Sequence, residues 1–355
     1  MSTFRILGLM SGTSMDGLDI ADVVFSKTPK NAWKFDLVNF KTFEYTESLR
    51  SRLSKSLELT TLEVVHLNNQ MGSFFAQNVN RFIEEFKIPK NEIDAISSHG
   101  HTVFHQPEKN LTFQIANGAV IASETGINTI SDFRIMDVSK GGNGAPLVPL
   151  GDFQLFGDLA DSFLNLGGFS NISYRNKNKI MALDICPVNV VLNNLANLSG
   201  KIFDKNGELG RKYSIDQNIF VQLNQIPFYS KTGPKSLGIE WVNQEVFPIL
   251  KNKVENITTF YEHIAFQIAQ VLKERKIRSV FLSGGGAKNS FLVERIKFHY
   301  PGQVIIPIHE IVDYKEAIIF AFLGLLRLTN KINTLCSVTG AKSDSISGVI
   351  HIANA

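Results

Sequence analysis

Residues 7–25 read LGLMSGTSMDGLDIADVVF. An apolar strand breaks at Ser11 into small and polar residues, and a second apolar stretch resumes after Gly17. The break holds two glycines (Gly12, Gly17), three hydroxyls (Ser11, Thr13, Ser14) and one carboxylate, Asp16. The theme returns at 161–174, DSFLNLGGFSNISY, and a third glycine turn, LSGGGAKN, closes an apolar strand at 282–289. Glycine lets backbone N–H groups approach an anion closely and permits the positive φ that such turns need. One turn of this kind is equally a hairpin whose polar residues bond their own backbone. Two alike, with a third behind them, favour a ligand held against the main chain. Asp16 does not suit a bare phosphate cradle. A carboxylate there would hold a metal, a metal-bound water or a sugar hydroxyl.

Working outward, strand patterns fall at 4–10, 18–26 and 33–44, the last alternating as WKFDLVNFKTFEY. A helix is expected over 61–86, where Val64, Leu67, Met71, Phe74, Phe75, Val79 and Phe82 recur at three and four. IDAISSHGHT reads as a buried strand entering a loop, GAVIASETG as a short helix ending at Gly126, and INTISDF as a strand. The glycine- and proline-rich loop 140–149 marks a domain boundary, dividing the chain into 1–150 and 151–355. Beyond it come KIMALDICPVN, a strand ending at Asp184, then helices to about 199, over 240–251 and 257–275, and a buried helix over 313–328. Strands alternating with helices imply α/β layering, and the repeated strand–turn–strand unit implies a duplicated core with two lobes.

At 355 residues, 44% apolar and 19% charged, the chain can bury a sizeable core and is not disordered. That length suits about two or three domains of roughly 150 residues. A net charge of +3 without a long basic block gives no electrostatic footprint for nucleic acid. Two cysteines, Cys186 and Cys336, argue against a disulfide framework and fit a reducing compartment. No signal peptide is read at the N-terminus, and the longest apolar run, AIIFAFLGLL, is too short for a membrane span. The expectation is a cytoplasmic protein with no membrane or nucleic-acid partner.

The P-loop, the dinucleotide G-x-G-x-x-G and the protein-kinase set are all missing. A nucleotide would therefore sit on two hairpins without a P-loop lysine. In this respect the chain is similar to the actin, hexokinase and sugar-kinase superfamily. Within it, GLMSGTSMDGLD (8–19) resembles the opening motif of the anhydro-N-acetylmuramic acid kinases. SHGHTVFHQP (98–107), SDFRIMDVSKGGNGAPLVPLGD (131–152), LNLGGFSNIS (164–173), KSLGIEWVN (235–243), LSGGGAKN (282–289), KEAIIFAFLGLLRL (315–328) and VTGA (338–341) continue the match in order.

The resemblance implies an α/β, two-lobed actin-like ATPase fold, a duplicated ribonuclease H-like core with a central ATP and sugar cleft. It implies that ATP phosphorylates O6 of 1,6-anhydro-N-acetylmuramic acid while water opens the anhydro bridge, as in cell-wall recycling. Asp184 would be the base for that water, although an Asp after a strand is also a common helix cap. Glu316 would lie near the substrate, although an early-helix Glu is also favoured by the helix dipole. ATP would meet Gly12, Thr13, Ser14, Met15, Asp16, Gly17 and Asp19, the hairpin residues Gly167, Gly168 and Asn171, and the adenosine turn Gly284, Gly285, Gly286 and Asn289. The sugar would meet Asp16, His105, Arg134 and Asn189. Arg134 would hold the lactyl carboxylate or a hydroxyl, against the alternative of a salt bridge with Asp132 or Asp137. Mg²⁺ is expected with ATP, Asp16 being a candidate outer-shell ligand. A homodimer is expected from the resemblance.

The chain departs from the family pattern where D-T-G-P-G-N becomes DICPVN (184–189), with Cys186 and Val188 for two glycines. Asn193 stands where the family tends to carry Asp, and His101 replaces the Gln of HGQT. A Cβ at 186 and 188 removes easy access to positive φ and limits backbone approach to a ligand. Either the sugar side tolerates these changes or serves another amino sugar, or the chain binds without turnover. His99, His101 and His105 have a spacing that can ligate zinc, but they match or fill family positions. Cys186 beside Asp184 has no suitably spaced base to make it a nucleophile.

Overall fold

A computed structural model describes residues 3–12, 15–231 and 237–353. Thr13 and Ser14, two of the expected phosphate contacts, lie outside the described residues. The chain divides into two compact units, one comprising Met1–Phe156 and Tyr314–Ala355, the other Gly157–Asp313.

Each unit is built on one sheet, and the two sheets share a plan. In the first unit β1 (Phe4–Ser11), β2 (Gly17–Lys27) and β3 (Trp33–Glu44) form an antiparallel meander. β4 (Ala95–Gln106) runs parallel to β1, β5 (Leu111–Ile115) folds back along β4, and β6 (Thr129–Ser131) runs parallel to β4. In the second unit β7 (Ser162–Leu166), β8 (Phe169–Asn176) and β9 (Lys179–Pro187) repeat the meander. There β10 (Ser279–Ser283) lies parallel to β7, and β11 (Gln303–Ile305) parallel to β10. The order β6-β4-β1-β2-β3 thus recurs as β11-β10-β7-β8-β9. The duplication expected from the two glycine hairpins is present in the strand order itself.

Local sequence explains the elements that carry the first sheet. Thr60 caps the helix Thr61–Glu85, accepting from the Glu63 N–H while the Glu63 carboxylate accepts from the Thr60 N–H. Such a cap contributes about 1 kcal/mol. Leu67, Met71, Phe75, Val79 and Phe82 from this helix pack with Leu7, Leu9, Leu18 and Ile20 of β1 and β2. The other face of β1 meets the helix His309–Leu328 at extreme range: a Cβ on Gly8 would stand 2.0 Å from the Ala317 carbonyl oxygen. Gly324 of the same helix similarly clears Ser97 of β4. In the second unit the helices Asn189–Asn197, Ile257–Glu274 and Ser290–His299 supply Leu195, Ile264, Ile268 and Leu292 to one core with Leu164, Ile172 and Val280.

The structure corrects the sequence reading at several places. Residues 314–355 were assigned to the second half, yet they pack into the first unit. The helix lies on β1, and β12 (Val349–His351) pairs antiparallel with β6. The first unit also runs to Phe156, past the expected boundary at 150, and a helix already begins at Val148. β4 does not give way to a loop after His101; it continues to Gln106 as one arm of a hairpin with β5. β9 does not end at Asp184, because Cys186 and Pro187 still pair with Ser170 and Phe169. The last long helix starts at His309, so Glu316 is beyond its first turn and gains little from the helix dipole. Among the described residues no helix is long and apolar enough to cross a membrane.

Gly8→Ala tests the contact on which the first sheet is stacked. The added methyl meets helix backbone and not a movable side chain, so overpacking should cost about 1–3 kcal/mol or more. A clear fall in the thermal midpoint is the expected result.

Candidate active site

In the second unit three features expected from sequence come together at one sheet edge. The turn Gly167–Gly168 joins β7 to β8, and its carbonyls accept from Val188 (2.8 Å), Asn189 (3.2 Å) and Val190 (3.3 Å) at the start of the next helix. The N–H groups of both glycines have no partner among the described residues. A Cβ at Gly168 would meet open space. The turn 284–286 leans directly on this hairpin. A Cβ at Gly284 (φ +77°) would lie 2.4 Å from Asn165 Oδ1, and one at Gly286 would lie 2.8 Å from Leu166 Cβ. Free N–H groups at one glycine turn, flanked by a second, form a cradle suited to an anion.

Beside it runs a polar row. Strand register sets Ser283 next to Asn165, Asn165 next to Asn171, and Asn171 next to Asp184. A bulge in β9 at Ile185 breaks the register just after Asp184 and lets Cys186 pair with Ser170. The amides of Asn165 and Asn171 bond no described residue, and the Ser283 Oγ is buried without a partner. Among the described residues Asp184 accepts one hydrogen bond, from the Leu237 N–H at 2.9 Å. Burial pushes its carboxyl above the usual range, and that N–H partly offsets the push. Asn165 and Ser283 were missed as site residues, although each stands within two positions of a quoted glycine.

Other expected contacts are committed inside the protein. Asn289 caps the helix Ser290–His299 through the Leu292 N–H, and its amide donates to the Tyr261 hydroxyl at 2.7 Å. Asn189 donates to the Leu166 carbonyl at 3.1 Å and so buttresses the hairpin. Cys186 is enclosed and bonded to Ser170. Neither Cys186 nor Val188 has a positive φ, so the backbone here does not require the two lost glycines.

In the first unit Met15 takes a left-handed conformation (φ +57°), its N–H donating to the Gly12 carbonyl. Gly17 lies hard against β3, where a Cβ would meet the Phe43 carbonyl oxygen at 2.4 Å. Asp16 is exposed, whereas Asp19 accepts from the Thr42 hydroxyl at 2.6 Å. The Tyr45 hydroxyl donates to Ser11 Oγ at 2.6 Å, and Ser11 Oγ is in turn hydrogen-bonded to His101 Nδ1 at 2.9 Å. The His for Gln replacement therefore ties β4 to the end of β1.

Arg134, His99 and Glu316 form a second group in this unit. Arg134 Nε and Nη2 both approach His99 Nε2, at 3.1 and 2.8 Å. A guanidinium only donates, so Nε2 is the acceptor and the ring proton sits on Nδ1, donated to the Gly100 carbonyl. Burial and the Arg134 charge hold His99 neutral, with its pKa well below the ordinary value. Arg134 Nη1 donates to the Gly144 carbonyl at 2.6 Å. Neither expected salt bridge forms: Asp137 instead accepts from the Gly144 N–H and the Thr339 hydroxyl. Burial draws Arg134 down to about 10, so it remains charged at neutral pH. Glu316 accepts no hydrogen bond from a described residue; burial pushes its carboxyl up, while Lys315 and Arg134 oppose the push. Lys315 itself is buried against Asp152 at 2.9 Å. His105 Nδ1 meets the Thr112 hydroxyl at 3.0 Å. Each histidine of the zinc-like triplet is thus bonded separately, and no group of three metal-ligating side chains occurs among the described residues.

A protein-family model described as anhydro-N-acetylmuramic acid kinase matches residues 4–353. The chain is 33% identical over 364 residues to a protein of that name from Legionella pneumophila (strain Paris), covering 97% of each. It is 34% identical over 372 residues to another from Shewanella baltica (strain OS185), covering 98% of each. Among solved structures it matches the activator of the 2-hydroxyisocaproyl-CoA dehydratase from Clostridium difficile with bound ADPNP. That match has a TM-score of 0.45 and 14% identity, and covers 92% of this chain and 97% of the other.

His99 makes the group sensitive to acid. The folded state keeps this ring neutral below the ordinary value of 6.5, while the unfolded chain takes up a proton there. Its contribution to stability is therefore complete above that value and falls with acidification, by at most about 1.4 kcal/mol per pH unit. The drop in thermal midpoint between pH 7.5 and 5.5 should be smaller in His99→Gln, which cannot titrate.

Proposed function

The chain belongs to the anhydro-N-acetylmuramic acid kinase family, and we propose that it performs that reaction with Asp184 as general base. The overall conversion joins 1,6-anhydro-N-acetylmuramic acid, ATP and water to give N-acetylmuramic acid 6-phosphate and ADP. Water attacks the anomeric carbon, and its proton passes to the Asp184 carboxylate. The bond from the anomeric carbon to the bridging oxygen breaks. That oxygen, freed as O6, takes the γ-phosphoryl group.

The observation that carries this reading is the row of Asn165, Asn171 and Asp184 beside a glycine turn with free N–H groups. It sets a glycine turn suited to an anion beside a carboxylate with one oxygen uncommitted among the described residues. ATP would supply the phosphoryl group, with its phosphates at Gly12, Gly17, Gly167 and Gly168 and its adenosine at Gly284–Gly286. Asp16, exposed and near Gly12, is the candidate for holding Mg²⁺ through water. Arg134 suits the lactyl carboxylate because it is a half-buried cation whose hydrogen-bond partners are a neutral ring and a carbonyl. Glu316, which bonds no described residue, would be available to a sugar hydroxyl. The route served would be recycling of cell-wall sugar in the cytoplasm.

The protein, ATP, Mg²⁺ and the anhydro sugar incubated in ¹⁸O-enriched water should yield sugar phosphate labelled at the anomeric hydroxyl. Asp184→Asn should lower kcat by about 10²–10⁴-fold, the usual contribution of a positioned base. In the unaltered enzyme the rate should fall as pH drops through the pKa of Asp184, above that of an ordinary aspartate, because only the ionised form accepts the proton. ADP binding without any phosphorylated sugar would overturn the reading.

A further inference from the structure

The second unit buries a histidine that the reaction does not use. His263, on the helix Ile257–Glu274, is fully enclosed, and burial draws its pKa down to about 3, so the ring is neutral. Its surroundings fix the tautomer. Asn224, the last residue of the helix Gln217–Asn224, donates from Nδ2 to the Phe220 carbonyl at 2.8 Å. Its other amide atom, Oδ1, accepts from Gln267 Nε2 at 2.8 Å and from His263 Nδ1 at 2.9 Å. With its one proton on Nδ1, the ring presents Nε2 as an acceptor, and the Tyr229 hydroxyl donates to it at 2.9 Å. Both ring nitrogens are thus satisfied, and a fully satisfied buried network specifies one arrangement.

A series of contacts leads from this histidine to Asp184. Tyr229 lies in the turn Pro227–Ser230. Burial raises its hydroxyl pKa well above the ordinary value, and Cys186, two positions beyond Asp184 on β9, adds to the push, so the hydroxyl stays a protonated donor. Its ring stands edge-on to Trp241, with centroids 6.2 Å apart and planes at 90°, and Phe228 meets the same indole at 5.1 Å. Trp241 belongs to the helical turn Ile239–Trp241, which opens directly after Gly238, and the Val242 N–H closes it onto the Gly238 carbonyl at 3.3 Å. Leu237, one residue back, is the donor to Asp184 at 2.9 Å. Tyr229, Leu237 and Trp241 all pack against the core that contains Cys186. The N–H that Asp184 accepts therefore comes from a segment stacked against Tyr229.

We infer that Tyr229, locked by His263, is a positioning residue for Asp184: it holds the Leu237 N–H in place against the carboxylate. An N–H bonded to a carboxylate favours the ionised form, which is the form that can take a proton from water. At Asp184 that bond works against burial, which pushes the carboxyl up. Loosening the Tyr229 anchor removes the opposing contribution and leaves burial to act alone. The inference takes from the kinase reading only the role of Asp184 as base.

Two measurements on the full chain test it. One is the pH dependence of kcat. The other is the titration of the Asp184 carboxyl by ¹³C NMR of carboxyl-labelled aspartate, its resonance identified by loss in Asp184→Asn. Tyr229→Phe keeps the ring beside Trp241 and removes the hydroxyl. It should move the acidic limb of the kcat profile and the carboxyl titration upward together, by about half a pH unit or more, as expected for weakening one hydrogen bond to a charged group. On the alkaline plateau kcat should match the unaltered protein, whereas a general loss of structure would lower kcat at every pH. His263→Gln keeps an acceptor for the Tyr229 hydroxyl and should leave the profile in place, while His263→Leu should shift it as Tyr229→Phe does. Combining Tyr229→Phe with His263→Leu should shift it no further than either alone. If His263→Leu does not fold, Tyr229→Phe alone still decides. An unmoved limb and titration in Tyr229→Phe would overturn the proposal, as would a shift in His263→Gln equal to that in His263→Leu. If Asp184→Asn is inactive and Tyr229→Phe leaves the titration unmoved, the positioning role falls and the base reading stands. If Asp184→Asn turns over at full rate and Tyr229→Phe still raises the carboxyl titration, the base reading falls and the positioning of Asp184 stands.

Discussion

Close approach at glycine, where the chain leaves no room for a Cβ, is the constraint on which this molecule depends. Gly8 allows β1 to touch the carbonyl of Ala317, and Gly284 and Gly286 allow one turn to rest on Leu166 beside Gly167. In both units the close approach occurs on or beside the first strand of the repeated meander, β1 and β7. It sets the helix tightly on one sheet and brings two glycine turns together on the other. A methyl group at any of these positions would displace main chain, which has far less freedom to yield than a side chain. The glycines first noticed as a motif for ligands are therefore also packing residues, and the two roles share one geometry.

How much of this is legible in the sequence follows from how local each feature is. The meander strands, the capped helix from Thr61 and the helix ended by Gly126 (φ +71°) are set by neighbours a few residues away, and they read correctly. The β4–β5 hairpin was missed because SHGHTVFHQP carries polar and histidine residues at positions that resemble a loop. Those side chains bond partners across the hairpin, as His105 does with Thr112. The return of residues 314–355 to the first unit depends on contacts more than two hundred residues apart in sequence, such as Ser131 with His351. No local pattern encodes such a pairing. Asp184 and Asn171 could be picked out from sequence, but Asn165 beside them emerges only through strand register.

The departure DICPVN shows why a motif should be weighed by conformation as well as by letters. Two lost glycines would matter where the main chain is left-handed. Cys186 instead continues β9, and Val188 precedes the helix Asn189–Asn197 with φ at −128°. The Ser170 hydroxyl accepts the Cys186 N–H at 3.2 Å and donates to the Cys186 carbonyl at 2.9 Å, so both polar groups of the replaced position are satisfied. The substitution therefore sits behind Asp184, in the support of the strand, and leaves the carboxylate beside Asn171.

The electrostatics of the first unit complete the argument. A partly buried guanidinium is usually matched by a carboxylate, since an unpaired charge in low dielectric is costly. Arg134 is matched instead by a neutral imidazole and a carbonyl, and the nearby Asp137 is turned to the Gly144 N–H and Thr339. Glu316 contributes attraction at a distance without forming a hydrogen bond. Glu316 and Asp137 both act on the cation at a distance, but neither pairs directly with the guanidinium among the described residues. The Nδ1–H tautomer of His99, fixed by Gly100, keeps the ring an acceptor so that the guanidinium holds one orientation. The guanidinium of Arg134 is thereby held in one orientation by His99 and the Gly144 carbonyl, and under the proposed role that preorganisation would lower the ordering cost of binding a carboxylate.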